Sequence, residues 1–207
     1  PAAVLAPKPL SLRTLLRNRE FALLYVSIIF STLGLFVPFV FLADYAEDRG
    51  VSEVKAAALV GIIGGISVVS RVGLGGLADR FGSLRLYVAC FSLMAVAHWT
   101  WLAAGSSYPL LVTYAVLLGL GYGGFIALAP AVLADRLGLT GLGGMIGTLY
   151  TGAAVGAFFS PPLAGWLIDH SGYTAAVTYG AAGATIGVFI LLPILKTSTH
   201  RSASIDP

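Results

Sequence analysis

The sequence predicts an all-α membrane protein with six spans arranged as a 3+3 inverted repeat. Three observations lead there. First, 57% of the 207 residues are hydrophobic and only 10% are charged. Soluble domains average nearer ~25% charged residues, so this chain has too little polar surface to cover a water-facing globule. Second, six apolar runs are each long enough for the roughly 20 residues a helix needs to cross a bilayer. Third, Gly75-Gly76-Leu77-Ala78-Asp79-Arg80-Phe81-Gly82 recurs ninety positions later as Gly165-Trp166-Leu167-Ile168-Asp169-His170-Ser171-Gly172. Both copies read G-x-x-x-D-x-x-G, with Ser70 answered by Ser160 and Gly34 by Gly124 at the same offset. A repeat that skips three spans puts its copies on opposite membrane faces.

The spans are predicted at 21–43, 56–78, 84–104, 109–133, 142–168 and 174–195, with residues 1–20 before them and a tail over 196–207. The short connections carry turn signals at Arg49-Gly50, Phe81-Gly82, Gly105-Ser106-Ser107, Leu137-Gly138 and Ser171-Gly172. With both termini in the cytoplasm, Lys8, Arg13, Arg17, Arg19, Arg80, Arg85, Arg136, Lys196 and Arg201 all lie inside. Only Arg49 and Lys55 fall outside, beside the acidic Asp44, Glu47, Asp48 and Glu53. That asymmetry sets the orientation by the positive-inside rule. Residues 10–20 read either as an amphipathic segment on the cytoplasmic leaflet or, more plainly, as a linker whose arginines anchor topology. Residues 1–20 show no cleavable signal peptide. The chain begins at Pro1, and we expect a fragment of a longer protein. The lone Cys90 cannot form an intramolecular disulfide.

One charge falls inside a span. Arg71 lies about two turns from the cytoplasmic end of span two, where a guanidinium costs at least ~2.5–3.5 kcal/mol unless it faces a cavity or partner. No acidic side chain lies in the middle of any span, so its partner is water, a helix outside this chain, or an anionic substrate. A carboxylate would match the guanidinium fork. The plainer alternative is snorkelling to the inner interface. Ser67, one turn earlier, shares the face of Arg71 in a helix. Tyr25, Ser31, Tyr122 and Tyr150 are further polar candidates for a cavity lining, each equally readable as a packing residue with a satisfied hydroxyl. His98, near the outer end of span three, reads as a packed histidine reaching interfacial water rather than a proton relay. Its neighbours Trp99 and Trp101 read as interfacial anchors.

Four G-x-x-x-G pairs (Gly61/Gly65, Gly119/Gly123, Gly143/Gly147 and Gly152/Gly156) allow close helix contact. The run Gly119-Leu120-Gly121-Tyr122-Gly123-Gly124 has no preceding strand and no lysine after it, so it is no phosphate loop. Pro38, Pro130, Pro161 and Pro162 interrupt spans one, four and five, permitting bends or fixing static kinks. A membrane protease would need a cluster of acid, histidine or serine within the spans, and only His98 is there. No catalytic residue, cofactor, metal or nucleic-acid partner is expected.

The segment Gly75-x-Leu77-Ala78-Asp79-Arg80-x-Gly82, followed by Arg85, resembles the cytoplasmic loop motif of the major facilitator superfamily. The resemblance implies that Gly75, Asp79, Arg80, Gly82 and Arg85 form a gating latch, with Asp and Arg stabilising one access state. It makes the chain the C-terminal half of a twelve-helix transporter, with the motif between helices 8 and 9. Only the first copy of the repeat keeps the basic residues that such a latch uses. Ser160-Pro161-Pro162-Leu163-Ala164-Gly165, continuing to Asp169, Gly172 and Tyr173, is similar to helix 11 of the monocarboxylate transporter and oxalate–formate antiporter branch. Ser70-Arg71-x-x-x-Gly75 resembles that branch's helix 8, whose arginine binds the substrate carboxylate.

This chain has Ser67 where many animal carriers place an Asp one turn before the arginine, and span five lacks the lysine of the oxalate–formate exchangers. The resemblance therefore implies a secondary transporter of small organic anions, monocarboxylates rather than dianions, working by alternating access with proton coupling or anion exchange. It would be a multi-pass protein of a bacterial inner or plasma membrane, with Arg71, Ser67, Tyr122, Tyr150 and Tyr25 at the substrate. Its partners would be the bilayer and an N-terminal six-helix half or a second copy. The alternatives are a carrier of another metabolite or drug with Arg71 structural, and a six-span assembly subunit.

Overall fold

A computed structural model describes residues 12–202, with side chains to residue 195. Lys8 and the side chains of Lys196 and Arg201 therefore lie outside the described residues, as do the ends of the predicted linker and tail. The described residues form eight helices: α1 (Leu12–Leu16), α2 (Arg19–Leu35), α3 (Val37–Glu47), α4 (Glu53–Phe81), α5 (Ser83–Ala104), α6 (Tyr108–Leu137), α7 (Leu142–Ser171) and α8 (Tyr173–Ser202). Helices α2 and α3 together make span one, Arg19–Glu47, and α4 to α8 supply the other five. Each span is long and apolar enough to cross a membrane.

The helices outrun the predicted spans because their caps sit among polar residues beyond the apolar runs. Asn18 starts span one by accepting the N–H groups of Glu20 and Phe21 at 2.9 and 3.3 Å. The final glycine of each repeat ends a helix. Gly82 and Gly172 take φ values of 85° and 79°, and their N–H groups bond back to Ala78 and Ile168 at 2.9 Å. Glycine enters that region without steric cost, which explains why both copies end on it. Short α1 buries only Leu15.

The repeat is visible in the packing. Spans one to three correspond to spans four to six, and α4 and α5 pack on α6 as α7 and α8 pack on α2. A Cβ on Gly34 would collide with the Gly180 carbonyl oxygen, and one on Gly124 would collide with Cys90 Sγ. Gly180 and Cys90 are themselves ninety positions apart. Ser70 of α4 donates to Leu120 O on α6 at 2.6 Å, and Ser160 of α7 donates to Leu33 O on α2 at 2.5 Å. Each serine thus reaches the first span of the other repeat.

Two of the four glycine pairs serve close packing. Gly119 and Gly123 meet Ile63, Ile66 and Ser67, and Gly152 and Gly156 meet Tyr25, Ile28 and Thr32. At Gly61/Gly65 and Gly143/Gly147 a Cβ would find nothing within 4 Å, so the close contact expected of them is not made among the described residues. Those pairs lie on α4 and α7, of whose apolar windows only 22% is buried. The corresponding figure is 50% for α5 and 56% for α6. Val68, Val69 and Val72 on α4 and Phe158, Phe159 and Trp166 on α7 are left exposed.

Candidate functional site

Arg71 stands on the open face of α4. Its side chain is exposed, and among the described residues it has no carboxylate within ion-pair distance. The guanidinium carbon lies 5.7 Å from the ring centroid of Tyr122 on α6, within cation–π range. Electrostatic interaction also links Arg71 and Tyr122 to the Tyr150 hydroxyl on α7. Three of the predicted site residues, on three different spans, are therefore neighbours.

The other two are placed differently. Ser67 is 3% exposed, and its hydroxyl donates to Gly64 O at 2.7 Å. It sits in the α4–α6 seam, where its backbone is so close to Gly123 that a Cβ there would collide with Ser67 O. Like Arg71 one turn later it lies against α6, but it is buried where Arg71 is exposed. Tyr25 shares a hydrogen bond with Thr151 at 3.1 Å and stacks on Phe21 at 6.2 Å, tying α2 to α7. Tyr150 itself donates to Ile126 O at 3.3 Å.

Sequence reading passed over Phe39 and Thr151. Phe39 follows Pro38 and meets Tyr122 edge-on, with ring centroids 5.7 Å apart, so it borders the Arg71 cluster from span one. The available signal was its place beside a predicted helix interruption. Thr151 adjoins Tyr150, but nothing in the sequence pointed to it.

The loop-motif residues gather at the arginine-rich end. Arg80 and Arg85 flank a groove of about 390 Å³ with Gly82, Ser83, Asp135 and Arg136. Ser83 donates to Asp135 at 2.6 Å, while Arg136 grips Glu20 side-on at 2.9 and 2.5 Å. These contacts join α5 to α6 and α6 to α2. Asp79 is exposed and, among the described residues, makes no ion pair with Arg80 or Arg85. Gly75 has open space around it.

The aromatic end differs from expectation. Trp99 is 47% exposed and donates to Thr185 at 3.1 Å. Trp101 is fully buried against Tyr45 and Tyr114, so it is a core residue rather than an interfacial anchor. His98 is also fully buried and reaches no interfacial water; its ring nitrogens face the backbone carbonyls of Met94 and Gly34. Arg49 lies 3.6 Å from the Tyr45 ring centroid, and the Tyr45 hydroxyl donates to Gly105 O at 3.2 Å.

Six apolar spans built as an internal repeat define a multi-pass, all-helical membrane protein. The sequence family described as Major Facilitator Superfamily matches residues 24–207, and the chain belongs to that superfamily. It is 38% identical over 162 residues to monocarboxylate transporter 12 of Rattus norvegicus, covering 76% of this chain and 33% of that protein. It is 35% identical over 179 residues to monocarboxylate transporter 3 of Mus musculus, covering 84% of this chain and 36% of that one. An MFS-type transporter of Gibberella moniliformis is 30% identical over 175 residues, covering 83% and 42%. The chain thus spans about a third of the length of the two monocarboxylate transporters it matches.

Proposed function

We propose that this chain is one half of a secondary transporter that moves small organic anions, monocarboxylates first, by alternating access. The observation that carries the reading is Arg71: a guanidinium in the apolar span α4, exposed, with no carboxylate partner among the described residues. Such a group needs an anion or water to offset its cost in a membrane. A substrate carboxylate accepts two parallel N–H bonds from it. Tyr122 and Tyr150 border the same point, and Phe39 closes it from span one. Similarity to proteins named monocarboxylate transporters supports the substrate class.

The apolar faces of α4 and α7 receive a second six-span half, from the same polypeptide or from another copy, and the two halves rock about Arg71. The Asp79, Arg80 and Arg85 loop lies on the cytoplasmic side and latches one of the access states, with Asp79 free to pair across to the other half. The carrier sits in a bacterial inner or plasma membrane. A second reading, in which the substrate is another metabolite or a drug, draws on the Tyr122 ring, which gives Arg71 a cation–π contact without any anion.

The test is uptake of labelled lactate or pyruvate by the intact carrier. Arg71→Ala should lower kcat/KM by at least about tenfold, the minimum expected for a lost charge-assisted pair, with surface expression unchanged. Full transport by that variant would remove Arg71 from the site. Inhibition by unrelated cations but not by lactate or pyruvate would favour the second reading.

A further inference from the structure

Span one bends where its sequence demands it. Pro38 has no N–H, so the carbonyl four residues earlier, on Gly34, lacks the donor that a continuous helix would provide. Helix α2 ends at Leu35, α3 begins at Val37, and the N–H of Phe36 turns back onto Gly34 O. Two side chains from other spans close on this bend. Ser160 of α7 holds Leu33 O at 2.5 Å, and His98 of α5 places Nε2 3.1 Å from Gly34 O. Gly180 of α8 leaves the ring its room, since a Cβ there would lie 3.1 Å from His98 Cδ2.

The second ring nitrogen, Nδ1, is 2.8 Å from Met94 O. Both nitrogens therefore face acceptors. A neutral imidazole has one N–H, so either tautomer sets one ring lone pair against a carbonyl oxygen. The imidazolium donates to both. We propose that His98 is the positioning residue of the span-one bend, a clamp that engages both carbonyls only when its ring carries two protons.

The bend leads directly to the Arg71 cluster. Pro38 is followed by Phe39, whose ring meets Tyr122, and Tyr122 lies beneath the Arg71 guanidinium. Tightening or loosening the bend moves Phe39 against that cluster. The surroundings of the ring are simple. Span one meets it with the Gly34 backbone, α8 with Gly180, and α6 with Tyr114, whose ring centroid is 6.0 Å away. Tyr114 is its titratable neighbour among the described residues, and no charged side chain of these elements acts on it. The sign follows: the clamp is closed in the doubly protonated form at low pH and opens as pH rises through the titration of the ring.

Because the ring is buried without a charged partner among the described residues, the imidazolium forms only in acid. Amide hydrogen exchange of residues 34–42, in the intact carrier held in lipid nanodiscs, therefore tests this from about pH 3 to about pH 8. After correction for intrinsic exchange chemistry, the rate should rise about tenfold as pH rises, the scale of one buried hydrogen bond. His98→Gln keeps an N–H donor but cannot take up a second proton, and should give a flat profile. Pro38→Ala restores an N–H for Gly34 O and should shrink the step even with His98 present, which gives an answer should His98→Gln fail to fold. A flat profile in the unmodified protein, or a full step in either variant, overturns the clamp. The consequence for transport rests on the carrier reading: kcat for uptake should follow the exchange step at constant KM. An exchange step with no counterpart in uptake would fault the link to transport while leaving the clamp in place.

Discussion

Arg71 was legible because it is the one charge inside an apolar run, and the cost of a guanidinium in lipid needs no structure to state. Its neighbours were only partly legible. Ser67 shares its helical face by spacing, yet the seam with Gly123 buries it and its hydroxyl donates to Gly64 O. Helical periodicity gives the angle of a side chain, not which neighbouring helix fills that direction. The glycines make the same point. Gly123→Ala would push a methyl into the Ser67 backbone, and Gly156→Ala would push one into Thr32. Each should destabilise the fold by about 1–3 kcal/mol. Gly61→Ala, in open space within this chain, should be neutral or stabilising by up to about 1 kcal/mol of helix propensity. Thermal unfolding of the three variants in one detergent checks the ordering, and a destabilised Gly61→Ala beside an unaffected Gly123→Ala would refute it.

At the scale of the element, the sequence placed all six spans because hydrophobic length alone decides whether a helix can cross. It could not tell which prolines break a helix. Pro130, Pro161 and Pro162 sit inside continuous helices, whereas Pro38 divides span one into α2 and α3. At Pro38 the side chains of His98 and Ser160 hold the carbonyls of a broken helix, whereas at Pro130 the Tyr150 hydroxyl holds Ile126 O, four residues earlier, in a helix that stays continuous. The repeat motif was visible as letters, and the structure supplies its reason in the positive φ of Gly82 and Gly172. Gly82→Ala should therefore cost roughly 1 kcal/mol, because Ala cannot enter that region freely. The loss should appear as a lowered melting temperature, and an unchanged one would mean that the cap contributes nothing. At the same end, Arg136 ties α6 to α2 through a side-on pair with Glu20 in which Arg136 is mostly buried.

For the whole molecule, the inverted repeat leaves its two equivalent helices, α4 and α7, as the two least buried spans. Arg71 is exposed on α4, and the glycine pairs with open space around them among the described residues lie on these same two helices. Composition could show that the chain lives in lipid, but not which faces meet lipid and which meet protein, since both are apolar. In the intact carrier, cysteines introduced at Val72 on α4 or Phe158 on α7 should cross-link to the other half. Cysteines at Val96 on α5 or Phe189 on α8 should not. The reverse pattern would mean that the exposed faces of α4 and α7 meet lipid. The central claim, that Arg71 holds the substrate carboxylate, is tested most directly by comparing pyruvate with its uncharged amide as competitors for uptake. The intact carrier should prefer the carboxylate by about 10–100-fold, as a desolvated charge-assisted pair requires, and Arg71→Gln should abolish that preference. An undiminished preference in Arg71→Gln would contradict the assignment.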